Sequence, residues 1–147
     1  MALLRAREAV MMRFRPMLAE HGVTEQQWRV IRVLSEEGPL GASEVADRAA
    51  ILGPSLTRII KTLERRRMIT SRRLPHDGRR VVLEIAAAGR AVIASAARER
   101  RKIYRDLERL HGRKVLDELL DRLEALILQE ENAGSGRKRQ GGAATET

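Results

Sequence analysis

Residues 53–85 read GPSLTRIIKTLERRRMITSRRLPHDGRRVVLEI, and the fold turns on this stretch. Gly53-Pro54-Ser55 is a helix opening, with proline in the first turn, where its missing N–H is no loss. Leu56, Ile59, Ile60 and Leu63 then recur at helical spacing, so that face buries and Ser55, Thr57, Arg58, Lys61, Thr62 and Arg65 lie mainly on the others. Residues 68–74, MITSRRL, and 81–85, VVLEI, have the alternation and β-branched content of short strands. PHDGRR joins them as a hairpin loop, with turn chemistry at Asp77-Gly78.

Upstream, Ser43 or a neighbour caps a short helix over about 43–49, with Val45, Ala46 and Ala49 facing inward. A short helix, a tight turn and a helix with a small-polar and basic face form a helix-turn-helix pattern. The basic hairpin after it makes the pattern a winged helix. The fold class is therefore mainly α with a small β-hairpin wing.

Charge supports a reason for that shape. The chain carries +9, and of its 29 basic residues only Lys61, Lys102, Lys114 and Lys138 are lysine. Arginine bias in a genome raises such a total but spreads it along the chain. Here Arg58, Lys61, Arg65, Arg66, Arg67, Arg72, Arg73, Arg79 and Arg80 stand against only Glu64 and Asp77, which concentrates +7 between residues 58 and 80. Guanidinium pairs in a bidentate way with phosphate and guanine edges, so the segment predicts a nucleic-acid face. Asp77 among these cations reads as an orienting residue. It accepts N–H bonds in the turn and pre-sets Arg79 or Arg80, whose rotamer freedom is worth roughly 2 kcal/mol. A plain Asp-Gly turn is compatible with the same fold.

The rest of the chain is helical by pattern. A first helix over about 2–20 sets Leu3, Arg7, Val10, Phe14 and Met17 along one stripe, and Pro16 marks a kink or last turn. Thr24-Glu-Gln-Gln27 is a capping box with Val23 and Trp28 as its hydrophobic staple, opening a helix over 25–37 that Gly38-Pro39 ends. Long helices follow over 87–110 and 113–131. The second carries Leu116, Leu119, Leu120, Leu123, Leu126 and Ile127, a stripe too broad for a lone terminal helix to leave in water. With the first helix it predicts a homodimer. The organisation expected is one domain over 1–131, with a DNA-binding lobe at about 38–86, dimerisation helices at about 2–20 and 87–131, and a disordered tail over 132–147 whose RKRQ adds phosphate affinity.

Several function classes fall away. The chain has no cysteine, which removes disulfides, thiolate metal sites and cysteine nucleophiles and points to a reducing cytoplasm. No apolar run approaches the roughly 20 residues of a membrane span. His21, His76 and His111 sit in different elements, with no acid pair at catalytic spacing and no glycine-rich phosphate loop, so an enzyme is disfavoured and no cofactor or metal is expected.

The order of elements, with Asp77-x-Arg79-Arg80 in the wing, resembles the MarR family of dimeric winged-helix transcription regulators over residues 3–130. LLRARE, FRPMLAEHGVTEQQWRVIRVL and ILGPSLTRIIKTLERR look most like its branch of homoprotocatechuate (hydroxyphenylacetate) operon repressors. The resemblance implies double-stranded DNA with a pseudo-palindromic operator as partner, Ser55, Thr57, Arg58 and Lys61 as recognition-helix contacts, and Asp77, Arg79 and Arg80 as wing contacts. It also implies a small phenolic or aromatic carboxylate effector between the dimer helices and the DNA lobe. The residues offer Arg7 for its acid, Val10, Phe14 and Trp28 as walls, Arg29 and Arg32 as further cations and His21 as a polar edge. The staple alone explains Trp28, and an interhelical ion pair would explain Arg7. A ligand-independent or metal-responsive DNA-binding protein is the alternative. Two positions depart from the family pattern. Arg66-Arg67-Met68 stands where glycine usually ends the recognition helix, and Ile85-Ala86 where a Leu-Thr cap precedes the next helix.

Overall fold

The computed structural model describes residues 1–74 and 77–141, with side chains described for all of these except 74, 77–80 and 134–141. The chain forms two compact units, Met1–Ile103 and Tyr104–Thr147. The elements of the first are α1 (Ala2–Glu20), α2 (Glu25–Glu37), β1 (Leu40–Gly41), α3 (Ala42–Arg48), α4 (Gly53–Arg65), β2 (Ile69–Leu74), β3 (Asp77–Ile85) and the larger part of α5 (Ala87–His111). The remainder of α5 and α6 (Arg113–Gly141) make the second. The helix-turn-helix and wing expected from the sequence are present, together with a strand the sequence reading missed. Gly38-Pro39 stops α2, and the next two residues pair antiparallel with β3, Leu40 opposite Leu83 and Gly41 opposite Val82. Two residues are too few to show alternation, so β1 leaves no periodic signal.

The wing is longer than read. β3 begins at Asp77, which pairs with Leu74, so the Asp77-Gly78 step expected in the loop belongs to the strand. The register jumps from Arg73 opposite Val81 to Leu74 opposite Asp77, which leaves Gly78, Arg79 and Arg80 outside the regular pairing.

The core of the first unit is Met17, Val30, Ile31, Leu34, Val45, Leu63, Ile69 and Leu83, all fully buried. Leu56 and Ile59 of α4 are buried as expected, and Ile60 is half-buried. At α2 the capping box is complete: Gln27 N–H donates to Thr24 Oγ1 at 3.2 Å and Thr24 N–H to Gln27 Oε1 at 3.1 Å. Val23 and Trp28 are both buried around it. At α3 the cap is Gly41, not Ser43, and its N–H donates to Glu44 Oε2 at 2.8 Å.

Both departures from the family pattern are managed locally. Arg67 itself adopts the left-handed conformation, φ 54°, that glycine would supply. Its N–H donates to Glu64 O at 2.8 Å and that of Met68 to Leu63 O at 2.9 Å, a full Schellman ending with Met68 buried. Ala50, φ 49°, ends α3 the same way, its N–H on Asp47 O and that of Ile51 on Ala46 O. At the start of α5, Ala86 N–H donates to Met68 O at 2.8 Å and Arg90 Nη1 donates to Ile85 O at 2.6 Å, which ties the first turn to the residues on either side of the wing.

In the second unit, Leu110, Val115, Leu119, Leu120, Leu126, Ile127 and Leu128 are exposed, as are Leu3, Leu4 and Met12 in the first. The backbone of α6 runs to Gly141, beyond the expected helix end at 131 and into the segment expected to be a disordered tail.

Candidate nucleic-acid interface

The exposed side of α4 follows from its pattern. With Leu56, Ile59 and Leu63 turned inward, Ser55, Thr57, Arg58, Lys61 and Arg65 stand in solvent. Ser55, Arg58, Thr62 and Arg65 step along the helix by three and four residues, with Thr57 and Lys61 on the neighbouring line. The helix has no side-chain N-cap and no acid in its first turn, so its amide end carries uncancelled positive dipole. Two hydroxyls are turned back onto the helix, Thr57 Oγ1 toward Gly53 O at 3.4 Å and Thr62 Oγ1 to Arg58 O at 3.1 Å. The one acid of α4, Glu64, accepts the Ser71 hydroxyl of β2, which ties the end of the helix to the wing. Among the described residues, Arg58, Lys61, Arg72 and Arg73 pair with no carboxylate. Arg72 and Arg73 are exposed on β2. The side chains of Asp77, Arg79 and Arg80 lie outside the described residues.

Arg66 and Arg67 do not belong to this face in the way the charge count implied. Arg67 closes the helix with its backbone, and Arg66 Nη1 donates to Gly22 O at 2.7 Å, the carbonyl at the α1–α2 turn.

A second group of charges joins α1 to α2. Arg15 forks onto Glu8 at 2.6 and 2.9 Å, and its Nε reaches Glu25 Oε1 at 3.3 Å. Arg7 pairs with the other Glu25 oxygen at 2.5 Å. Glu25 is thus the carboxylate on another helix that Arg7 required, and the Arg7 side chain is half exposed rather than sunk in apolar surroundings. The bond from Arg15 holds the Glu8 carboxyl below its ordinary range. Phe14 and Trp28, on the same two helices, are buried, while Val10 stays exposed at 38%. His21 Nδ1 lies 3.3 Å from Ser95 Oγ of α5. Arg29 turns away toward α3, where Nη1 donates to Ala49 O at 2.6 Å and Ala50 O at 3.0 Å. Burial first, and then the charge of Arg7, lower its pKa from the ordinary arginine value, with Glu25 opposing. Nothing in the sequence singled out Glu25 or Arg15, because their pairing depends on how α1 crosses α2. Arg32, one turn beyond Trp28, pairs along its own helix with Glu36.

A family model, described as MarR family, matches residues 21–80, from the α1–α2 turn through the wing. Relatives extend that match over almost the whole chain. The "HTH-type transcriptional regulator FarR" of Neisseria gonorrhoeae is 37% identical over 133 residues, 90% of this chain and 91% of that protein. The chain belongs to the MarR family. It is accordingly a DNA-binding transcription regulator and not an enzyme. The "Homoprotocatechuate degradative operon repressor" of Escherichia coli is 36% identical over 126 residues, covering 86% of this chain and 85% of that protein. Among solved structures, that of NadR in complex with 4-hydroxyphenylacetate superposes with a TM-score of 0.77 at 38% identity, covering 85% of this chain and 89% of that one. The MarR fold assigns α3 and α4 as the helix-turn-helix and β2–β3 as the wing, so Arg58 and Lys61 lie on the second helix of that motif and Arg72 and Arg73 on the wing.

Proposed function

We propose that this MarR regulator is a cytoplasmic homodimer that represses an operon for aromatic-compound breakdown and releases its operator when a small aromatic acid binds. The exposed apolar residues of α1 and α6 support the dimer. Each subunit then offers α4 to a major groove and its wing to the adjacent minor groove, with half-sites about one turn, roughly 10 base pairs, apart. Ser55, Thr57, Arg58 and Lys61 read or hold the major groove, Arg73 adds a phosphate contact, and Arg79 and Arg80, oriented by Asp77, enter the minor groove.

The observation that carries the effector reading is the charge group on α1 and α2. Arg7 and Arg15 face Glu8 and Glu25 there, two cations on two carboxylates, on the same two helices that bury the rings of Phe14 and Trp28. An aromatic carboxylate matches both halves of that group. Its acid competes with Glu25 for Arg7, and its ring lies along Val10, Phe14 and Trp28, with His21 at the polar edge. Arg29 supports this wall from behind by holding the end of α3. A relative in complex with 4-hydroxyphenylacetate and another that represses homoprotocatechuate breakdown support the same ligand class.

The test is a titration of operator binding, with a duplex selected from a random library by the purified protein. 4-Hydroxyphenylacetate is expected to release that duplex, and divalent metals are not. Failure of every aromatic acid tried to change the affinity would remove the effector class, and release by metal alone would favour a metal-responsive regulator.

A further inference from the structure

Two arginines join the helices of the reading head to the α1–α2 part of the fold, and both do so through backbone carbonyls at helix ends. Arg29, on α2, donates to the carbonyls of Ala49 and Ala50 at 2.6 and 3.0 Å, where α3 ends on the left-handed Ala50. Arg66, at the end of α4, reaches the opposite way to Gly22 O at 2.7 Å and to Gln27 Oε1 at 3.4 Å. Gln27 Oε1 is the same atom that accepts the Thr24 N–H, so Arg66 is tied into the cap that starts α2. Gly22 has φ +62°, and a Cβ there would lie 3.5 Å from Arg66 Nη2, so the turn leaves room for the guanidinium. Carbonyls at a helix C-terminus carry the negative end of the dipole, and a cation there gains from both the hydrogen bond and the field.

A recognition helix discriminates sequences only if its side chains arrive at base edges in a fixed register, whereas phosphate attraction tolerates displacement. We propose that Arg29 and Arg66 are positioning residues for operator recognition: each fixes one helix of the helix-turn-helix against α1–α2, and Arg66 makes no phosphate contact although it lies in the most basic segment of the chain. Removing either loosens the register of α4 and lowers specific binding, while non-specific binding and its salt dependence stay as they are.

The experiment measures binding of Arg66→Met, Arg66→Gln and Arg29→Met dimers to the selected duplex and to a scrambled duplex of equal length, across a range of salt. Arg66→Met is expected to lose about tenfold on the selected duplex, the scale of one charged hydrogen bond, and nothing on the scrambled one. Arg66→Gln retains an N–H donor for the Gly22 carbonyl without the charge and recovers part of the loss. Arg29→Met repeats the Arg66→Met pattern. A phosphate contact at Arg66 would instead lower affinity for both duplexes, flatten the log–log salt slope by about 0.9 per subunit, about 1.8 for the dimer, and leave Gln no better than Met. That result overturns the proposal, as does unchanged affinity for the selected duplex. If circular dichroism shows Arg66→Met unfolded, the Gln variant decides by the same two readouts.

Discussion

Replacing Gly89 by alanine tests how the wing is seated on α5. Gly89 lies in the first turn of a long helix, where alanine is normally better by up to about 1 kcal/mol. Here an added Cβ would stand 2.3 Å from Met68 O and 2.9 Å from Ile85 Cγ1. An ordinary carbon–oxygen approach is about 3.3 Å, so α5 and the Met68 carbonyl must separate by about 1 Å. Neither side yields easily. Met68 N–H is bonded to Leu63 O at 2.9 Å, its carbonyl accepts Ala86 N–H at 2.8 Å, and its side chain is buried. Overpacking of this kind costs roughly 1–3 kcal/mol, and stretching the Ala86 bond adds about 1 kcal/mol. Set against the propensity gain, Gly89→Ala is expected to destabilise by about 1–3 kcal/mol. Urea unfolding at one fixed protein concentration measures it. A Gly89→Ala protein as stable as wild type, or more stable, would refute the close approach of α5 to the Met68 carbonyl.

Four further outcomes are expected. Ala50→Gly and Arg67→Gly should each raise stability by roughly 0.5–1 kcal/mol, because relief of the left-handed backbone, about 1–2 kcal/mol, exceeds the entropy glycine adds to the unfolded chain; thermal unfolding of each variant checks the sign. Arg79→Ala or Arg80→Ala should weaken operator binding by roughly 1–3 kcal/mol, and Asp77→Ala should weaken it too although it makes the protein more positive. Tighter binding by a normally folded Asp77→Ala at fixed salt would end its orienting role. Light scattering at micromolar concentration should give a dimer, against which a stable monomer would count decisively. Arg7→Ala should bind the operator normally yet lose most of its release by aromatic acids, as titration calorimetry and a release assay on one preparation would report; an unchanged response removes Arg7 from the site.

The parts of this fold that were legible in the sequence are those whose cause is local. The capping box at Thr24, the proline in the first turn of α4 and the apolar spacing of Leu56, Ile59 and Leu63 each state their structure within a few residues. The recognition-helix face was legible for the same reason, since burying one side of α4 exposes the other. β1 was not, because its two residues become a strand only by meeting Leu83 and Val82. The tight seat of Gly89 on the Met68 carbonyl likewise joins two points that are distant in sequence.

Charge was the least legible feature, and the reason is physical. A run of arginines identifies an electrostatic region, but each guanidinium carries a long side chain whose destination is set by the nearest acceptor. Arg58, Lys61, Arg72 and Arg73 have no described carboxylate within reach and stay available to phosphate. Arg66, in the same run, finds the open carbonyl of Gly22 instead. Arg29 finds those of Ala49 and Ala50, and Arg90 that of Ile85. Helix ends and chain turns leave carbonyls without intrahelical partners, and in this protein arginines from other segments supply the donors. The same residue type therefore serves two tasks that composition cannot separate: attraction to an external polyanion, and attachment of one helix to another. Only the position of each carbonyl decides between them, which is why a salt slope, sensitive to phosphate contacts alone, distinguishes the two sets of arginines where a charge count does not.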